Sequence, residues 1–376
     1  MNDPARYLDH AATSWPKPPA VRDAVLRFMD DVGVSAARGD GARCAAAAAE
    51  VDFARRGIAS MCGVPTERVA FCSGATEALN LALRAVLRPG DRVVTTAFEH
   101  NSLVRPLLAL QRERGLSVDV VPPTPDGDLD PAAVAERVQG APTRLLAVSH
   151  ASNVTGATFD VAAMCRHARE HGAMTLVDAC QTAGHVPIAV GADLLVASCH
   201  KGLQAPPGLG FLACAPGVLL VPQKQGGTGS SRARAEHPTE WPQAFEAGTP
   251  NTLALFGLAA ALRHHGKRPH RGDVANARLR AFERAATGLP GVRFLPAPAR
   301  RRLAVTAFTH ARYDAAELGA IFAGAGFHAR TGHLCAPWLL RHFAAEAGVV
   351  RISLGHAECD DALPELLALL RELSAN

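Results

Sequence analysis

The chain has little of what would mark several common protein classes. Its 39 Lys and Arg residues barely exceed its 35 Asp and Glu. The basic residues, mostly arginine, are scattered without runs, so no electrostatic footprint for nucleic acid is present. None of the nine cysteines forms a Cys-x-x-Cys pair, and their number is odd. That pattern excludes a disulfide framework and a zinc ribbon and points to reduced thiols. No apolar run approaches the roughly 20 residues of a membrane span, and the opening MNDPARYLDHAAT has no cationic-then-apolar leader. The expectation is a soluble, cytoplasmic protein with neither membrane nor nucleic acid as partner. At 376 residues there is room for a large α/β unit, a smaller second one and a sizeable core.

What is present is concentrated between Ala173 and Cys214. Three short apolar runs there read as buried strands: MTLV ends in Asp178, DLLVAS ends in Ser198-Cys199-His200-Lys201, and a Gly-Pro-rich turn delivers GFLAC. Ligands of open α/β sheets sit beyond the carboxyl ends of the strands, which puts Asp178 and Lys201 at one crevice. An amine and an acid in one site suit pyridoxal 5′-phosphate: Lys201 for the Schiff base with its aldehyde, Asp178 to keep the pyridine nitrogen protonated. Taken alone, Asp178 reads equally well as a strand-end cap and Lys201 as a solvated loop lysine.

Before this stretch, helices are read from Pro19 onward and from about Cys44 to Met61. Gly39 and Gly41 break the pattern between them, so Arg38 and Arg43 fall on a loop or a helix start, as solvated side chains or as a site rim or dimer contact. VAFCSGATEALNLALRAVL reads as strand, tight turn and helix. Gly74 allows close backbone approach, and a helix opening at Ala75-Thr76 offers free N–H groups to an anion. Strand and helix then alternate, the pattern of a parallel sheet. Two strand ends carry polar groups, Glu99-His100-Asn101 and Ser149-His150-Ala151-Ser152-Asn153. A histidine there can stack on a cofactor ring or serve as an ordinary loop residue; an asparagine can meet the ring's phenolic oxygen. After Cys214 a loose stretch precedes a helix starting near Thr249-Pro250, and a smaller α+β arrangement follows. Inside it HARTGHLCAPW reads as a Gly-containing, Pro-ended loop around Cys335. With Arg330 and His333 close by, that thiol is a candidate nucleophile or an inert buried cysteine.

Collected in order, these segments resemble the cysteine desulfurase family of class V, fold-type I pyridoxal-phosphate enzymes almost end to end. YLDHAATSWPKPPAV, SGATEALNLAL, EHNS, SHASNVTG, VDACQTAG, SCHKG and FEAGTPNT follow in the family's order. The resemblance implies a large, mostly parallel sheet domain over residues 14–258 and a smaller C-terminal α+β domain over 259–376, with residues 1–13 packed near the site. It implies Lys201 as the Schiff-base lysine, Asp178 on the pyridine nitrogen and His100 stacked on the ring. Asn153 and Gln181 come near the phenolic oxygen, and Ala75, Thr76, Ser198 and His200 hold the phosphate. It further implies a homodimer in which Thr249 reaches the partner's phosphate. RTGHLCAPW resembles the group with a short catalytic loop, making Cys335 the sulfur acceptor. VVRISLG makes Arg351, with Asn153, the clamp for the substrate carboxylate. The implied activity turns L-cysteine into L-alanine with a persulfide on Cys335, unloaded by an acceptor protein or a small thiol.

Three positions depart from the family pattern: His10 where asparagine is usual, Cys199 where glycine is common, and Leu334 in place of one of a histidine pair. His10 and Leu334 are expected on the substrate side. They leave open selenocysteine lyase, cysteine sulfinate desulfinase and other lyase or transaminase chemistry on the same fold. A sulfur-relay protein without catalysis is opposed by intact Lys201, Asp178 and Cys335.

Overall fold

The main sheet has seven strands in the order β1-β7-β6-β5-β4-β2-β3: β1 (Val69–Cys72), β2 (Arg92–Thr96), β3 (Ser117–Val121), β4 (Leu145–Ser149), β5 (Met174–Asp178), β6 (Leu194–Ser198) and β7 (Gly210–Cys214). In this computed structural model the described residues are 6–36, 41–229, 235–266, 272–298, 301–355 and 362–375. The short runs LLAVS, GFLAC and VAFC are buried throughout, as strands covered on both faces must be. Strands β2 to β6 pair in parallel with their neighbours, while β7 runs antiparallel to both β6 and β1. Strand–helix alternation cannot anticipate β7. The Gly-Pro turn before it is too short to carry a crossover, so the chain doubles back. The carboxyl ends of β1, β2, β4, β5 and β6 therefore share one edge.

Helices α2 (Ala42–Cys62), α3 (Ala75–Val86), α4 (Asn101–Arg114), α5 (Pro131–Gln139), α6 (Val161–Glu170) and α7 (Thr252–His265) pack around the sheet, and α1 (Pro19–Arg27) packs on α7. Side-chain caps set several of their starts. Asp130, Asp160 and Asn251 accept from Ala132, Ala163 and Ala254 N–H groups, each such cap contributing about 1 kcal/mol. Left-handed Gly63 and Gly115 close α2 and α4. Asn251 thus starts α7 two residues later than Thr249, and residues 258 and 259 lie within that helix. Arg43 is an exposed residue in the first turn of α2; Arg38 and Gly39 lie outside the described residues.

A second sheet, in the order β10-β11-β9-β8, is built from β8 (Val292–Phe294), β9 (Val305–His310), β10 (Arg330–Gly332) and β11 (Val349–Ser353), all antiparallel. It packs with α8 (Gly272–Ala286), α9 (Ala315–Gly324) and α11 (Leu363–Ala375) around Phe308, Phe322, Ile352 and Leu366. The segment read as one loop around Cys335 is more ordered than that. Strand β10 precedes the turn and α10 (Pro337–His342) follows it, so only His333 to Ala336 are irregular. The closing helix starts at Leu363, Asp360 lying outside the described residues.

The beginning of the chain joins this second sheet. Tyr7 and Asp9 make parallel bridges to His328 and Ser353, and Leu8, only 2% exposed, packs into the same core. Burying that leucine contributes about 2 kcal/mol. It also fixes Asp9 beside Arg351 of β11.

Candidate functional site

A cavity of about 900 Å³ opens at the carboxyl edge of the main sheet, where the second sheet faces it. Asp178 closes β5, Ser198 closes β6, and Lys201 follows in the turn after β6. All three line the cavity, as do Ala75, Thr76, His100, Asn153, Gln181, His200, Cys335 and Arg351. Of the site residues expected from sequence, Thr249 alone is absent from this wall; it is exposed on the segment before α7.

The amine and the acid are held in different ways. Asp178, 6% exposed, accepts the Cys180 N–H on Oδ1 at 2.8 Å, and it is the only carboxylate among the described residues lining the cavity. The peptide before Lys201 is anchored through the His200 carbonyl, which meets the Ser14 N–H at 3.1 Å, the Ser14 and Thr13 hydroxyls at 3.1 Å each and the Lys17 ammonium at 2.6 Å. Burial pulls Lys17 down to about 8, and no carboxylate among the described residues pairs with it. Neither Lys17 nor Asp9 could be assigned a role from the sequence; their partners lie 183 and 342 residues away.

His100 is the N-cap of α4, and its Nδ1 accepts the Ser102 N–H at 3.0 Å. A backbone N–H can only donate, so the neutral ring carries its proton on Nε2. Burial first, then the Lys201 charge, hold its pKa below the usual histidine range, with Asp178 pulling the other way. Next to it, Ser102 Oγ bridges His100 Nδ1 at 2.9 Å and Thr76 Oγ1 at 2.8 Å, and there α3 starts after Gly74 with no side-chain cap, its first N–H (Ala75) donating to Ser198 Oγ at 3.1 Å. A side chain on Gly210 would collide with the Gly74 backbone at 2.5 Å, so two glycines bring strand and helix start together. An uncapped helix start over a cavity is a seat for an anion. His200, pulled down to about 4 by burial, adds a buried Nδ1 with no partner.

Arg351 is 3% exposed. Its Nη2 meets Asp9 Oδ1 at 2.5 Å and its Nη1 donates to the Asn153 carbonyl at 2.9 Å. Its Nε–H is buried without a partner, an orphaned donor of the kind that costs about 1–3 kcal/mol until an acceptor arrives. The thiol loop is pinned from the same side: Asn153 Nδ2 donates to the Leu334 carbonyl at 2.7 Å and Asn101 N–H to the Cys335 carbonyl at 2.7 Å. These bonds hold Leu334 and Cys335 at φ 50 and 54, left-handed values that non-glycine residues occupy at a cost of about 1 kcal/mol or more each. Among the described cysteines only Cys335 is exposed. Cys199 is fully buried and burial pushes its thiol far up, and Cys359 lies outside the described residues.

The remaining expected residues have other contacts as well. His333, which lines the cavity, donates from Nε2 to the Glu346 carbonyl at 2.8 Å and so fastens the loop. Gln181, which lines the cavity, donates one of its two Nε2 protons to the Ala11 carbonyl at 3.1 Å. Leu334, buried at the edge of the apolar core, also lines the cavity. His10 lies outside the main cavity, edge-on to Tyr7 and lining a smaller one behind Lys201.

Glu99 sits fully buried behind this wall, accepting from Thr96 Oγ1 at 2.6 Å and from Ser149 N–H and Oγ at 3.1 and 2.7 Å. Burial, with the Asp178 charge adding to it, pushes its carboxyl up to about 7 against 4.5 when exposed. Between those pH values the folded chain binds the extra proton, so Glu99 costs nothing below that window and its full penalty, on the order of 3 kcal/mol, above it. Glu99→Gln, which can accept from Thr96 and donate to Ser149, is expected to raise Tm at pH 8 and to lose that advantage by pH 4.5. Thermal unfolding across this range checks it; a constant offset contradicts it.

The family profile described as aminotransferase class-V matches residues 6–366. A cysteine desulfurase of Klebsiella pneumoniae is 32% identical over 385 residues, spanning 98% of this chain and 93% of the relative. One of Pectobacterium atrosepticum is 32% identical over 390 residues with the same coverage. Among solved structures, an apo cysteine desulfurase from Thermococcus onnurineus superposes with a TM-score of 0.90 at 26% identity, over 99% of this chain and 95% of that one. A cysteine desulfurase from Escherichia coli, solved in an S-sulfonic acid form, gives 0.88 at 25% identity, over 100% and 96%.

Proposed function

The chain belongs to the aminotransferase class-V family, and we propose that it is a pyridoxal-phosphate-dependent cysteine desulfurase converting L-cysteine to L-alanine with the sulfur received by Cys335. The observation that carries this reading is the convergence on one cavity of Lys201, Asp178, the uncapped start of α3, Arg351 and Cys335, the one exposed cysteine among the described residues. The residues fit the cofactor: an amine, a buried acid with an oxygen to spare, an anion seat and an orphaned histidine nitrogen. When bound, pyridoxal phosphate supplies an aldehyde for the amine and a ring that stabilises negative charge on the substrate's α-carbon.

The chain's own groups then have distinct tasks. Lys201 would hold the cofactor's aldehyde and, as a free amine, would serve as the base for the substrate's α-proton. Asp178 would keep a proton on the cofactor's ring nitrogen. His100, fixed through Nδ1, presents its flat face and its Nε2–H. Arg351 receives the substrate carboxylate on Nε and its remaining Nη protons. Cys335, as thiolate, attacks the substrate sulfur; the new S–S bond forms as the carbon–sulfur bond breaks, its electron pair stays with the carbon skeleton, and the product leaves as alanine after protonation. Arg351→Lys cannot serve Asp9, the Asn153 carbonyl and a carboxylate at once. KM for cysteine is expected to rise about 10–100-fold with a smaller change in kcat; an unchanged KM contradicts the clamp.

A homodimer belongs to the proposal, because Thr249 is exposed and outside its own chain's cavity. A Lys201→Ala chain mixed with a Thr249→Ala chain is then expected to recover one intact site per heterodimer. No recovery despite confirmed mixing counts against sharing. The activity itself is tested by offering cysteine, selenocysteine and cysteine sulfinate separately and quantifying alanine with released sulfide, selenide or sulfite. Alanine from selenocysteine or sulfinate but none from cysteine moves the reading to a lyase.

A further inference from the structure

Among the described residues, five cations line the cavity, Arg105, Lys201, Arg330, Arg341 and Arg351, against the single carboxylate of Asp178. Three of the cations have tasks or neighbours that explain them. Lys201 carries the chemistry and Arg351 is paired with Asp9. Arg330 sits in register with Arg351 on the adjacent strand, at the substrate carboxylate's end. Arg105 and Arg341 are left over. Both are exposed, and neither has a carboxylate partner among the described residues.

Their placement is specific to the thiol. Asn101, whose N–H holds the Cys335 carbonyl, opens α4, and Arg105 lies one turn further along the same face, at i+4. On the other side α10 leaves the thiol turn at Pro337, and Arg341 again lies at i+4, with Pro337, Trp338 and Arg341 all facing the cavity. Cys335 therefore stands between two helices, each presenting an arginine toward the opening. Cationic walls around a cavity mouth raise the local concentration of anions and their rate of arrival.

We propose that Arg105 and Arg341 form the seat of the sulfur acceptor, and that this acceptor is a thiol flanked by carboxylates. The proposal rests on the desulfurase reading, in which Cys335 must be unloaded after each turnover. Unloading is a sulfur transfer: the acceptor thiolate attacks the outer sulfur of the Cys335 persulfide and a new S–S bond forms. The bond from that sulfur to Cys335 Sγ breaks, Sγ leaves as thiolate, and the acceptor departs as the persulfide with no net oxidation. Attacker and leaving group are both anionic, and additional carboxylates on the acceptor would be repelled from this reaction without fixed positive charge beside it. The two arginines supply that charge and favour an acidic acceptor over neutral or cationic thiols.

The test has two arms on the full-length holoprotein. In the first, Cys335 exchange is timed with dianionic 5,5′-dithiobis(2-nitrobenzoate), neutral 4,4′-dithiodipyridine and dicationic cystamine, each normalised to free cysteine, with Cys335→Ala as the blank. The dianion is expected to gain roughly tenfold or more at low salt. The gain should vanish at high salt and in Arg105→Gln/Arg341→Gln, and persist in Arg105→Lys/Arg341→Lys. In the second arm the persulfide formed from cysteine is unloaded by mercaptosuccinate, by the peptide Asp-Asp-Cys-Asp-Asp, by 2-mercaptoethanol and by cysteamine. Preference for mercaptosuccinate identifies a small acid as the source, preference for the peptide an acidic protein segment, and either supports the seat. Equal normalised rates, or a preference for the cations, overturns it. Because the first arm needs no turnover, a charge-blind Cys335 in a protein that forms alanine defeats this proposal alone. A dianion preference without alanine from cysteine defeats the desulfurase reading alone.

Discussion

Lys201→Ala, supplied with pyridoxal phosphate, is expected to show no borohydride-reducible link between protein and cofactor and to lose alanine formation by roughly 10³-fold or more. The wild type should be yellow and, after reduction, carry the cofactor on the Lys201 peptide. The substitution removes an amine from a cavity wall and leaves the backbone anchor intact, since the His200 carbonyl keeps its donors from Thr13, Ser14 and Lys17. A loss of the link is therefore a chemical effect and not an unfolding one, which circular dichroism confirms. A reducible link at another lysine, or none in the wild type, removes the cofactor assignment.

Cys335→Ala is expected to behave differently: the colour and the binding of cysteine survive, while alanine formation from cysteine falls by roughly 10²–10⁴-fold, the range for removing a group that acts in the chemical step. The side chain is exposed and the turn is held by its neighbours' carbonyls, so truncation to alanine leaves the loop's two anchoring bonds in place. Selenocysteine and cysteine sulfinate, whose bonds from carbon to the departing group are weaker, should still be processed. Near-normal turnover of cysteine by this variant would return Cys335 to an ordinary loop thiol.

Much of the site was legible because strand ends announce it. Asp178, Ser198 and Lys201 follow apolar runs of strand length, and one-dimensional spacing suffices to send them to a common edge. Gly74 before Ala75-Thr76 marks a helix start in the same way. What spacing cannot show is pairing across the chain. Asp9 stands in a quoted motif, yet its partner Arg351 lies on a strand of the second sheet, and Lys17 reaches a carbonyl beside Lys201 from the first helix start. Strand direction was partly hidden as well, since β7 has the composition of its parallel neighbours and differs only in the turn that precedes it. The turn around Cys335 shows the converse. Glycine and proline suggested a loop, but pairing of β10 with β11 and the bonds from Asn101 and Asn153 make it a short, fixed turn. Its two left-handed residues are leucine and cysteine, which no propensity would nominate.

The account stands or falls on where the sulfur goes. After a single turnover with L-cysteine, the protein should be trapped, digested and mapped by mass spectrometry, with alanine counted in parallel. The account predicts one added sulfur per chain on the Cys335 peptide, matched by one alanine. Sulfur on Cys44 or any other cysteine, or alanine without protein-bound sulfur, would contradict it.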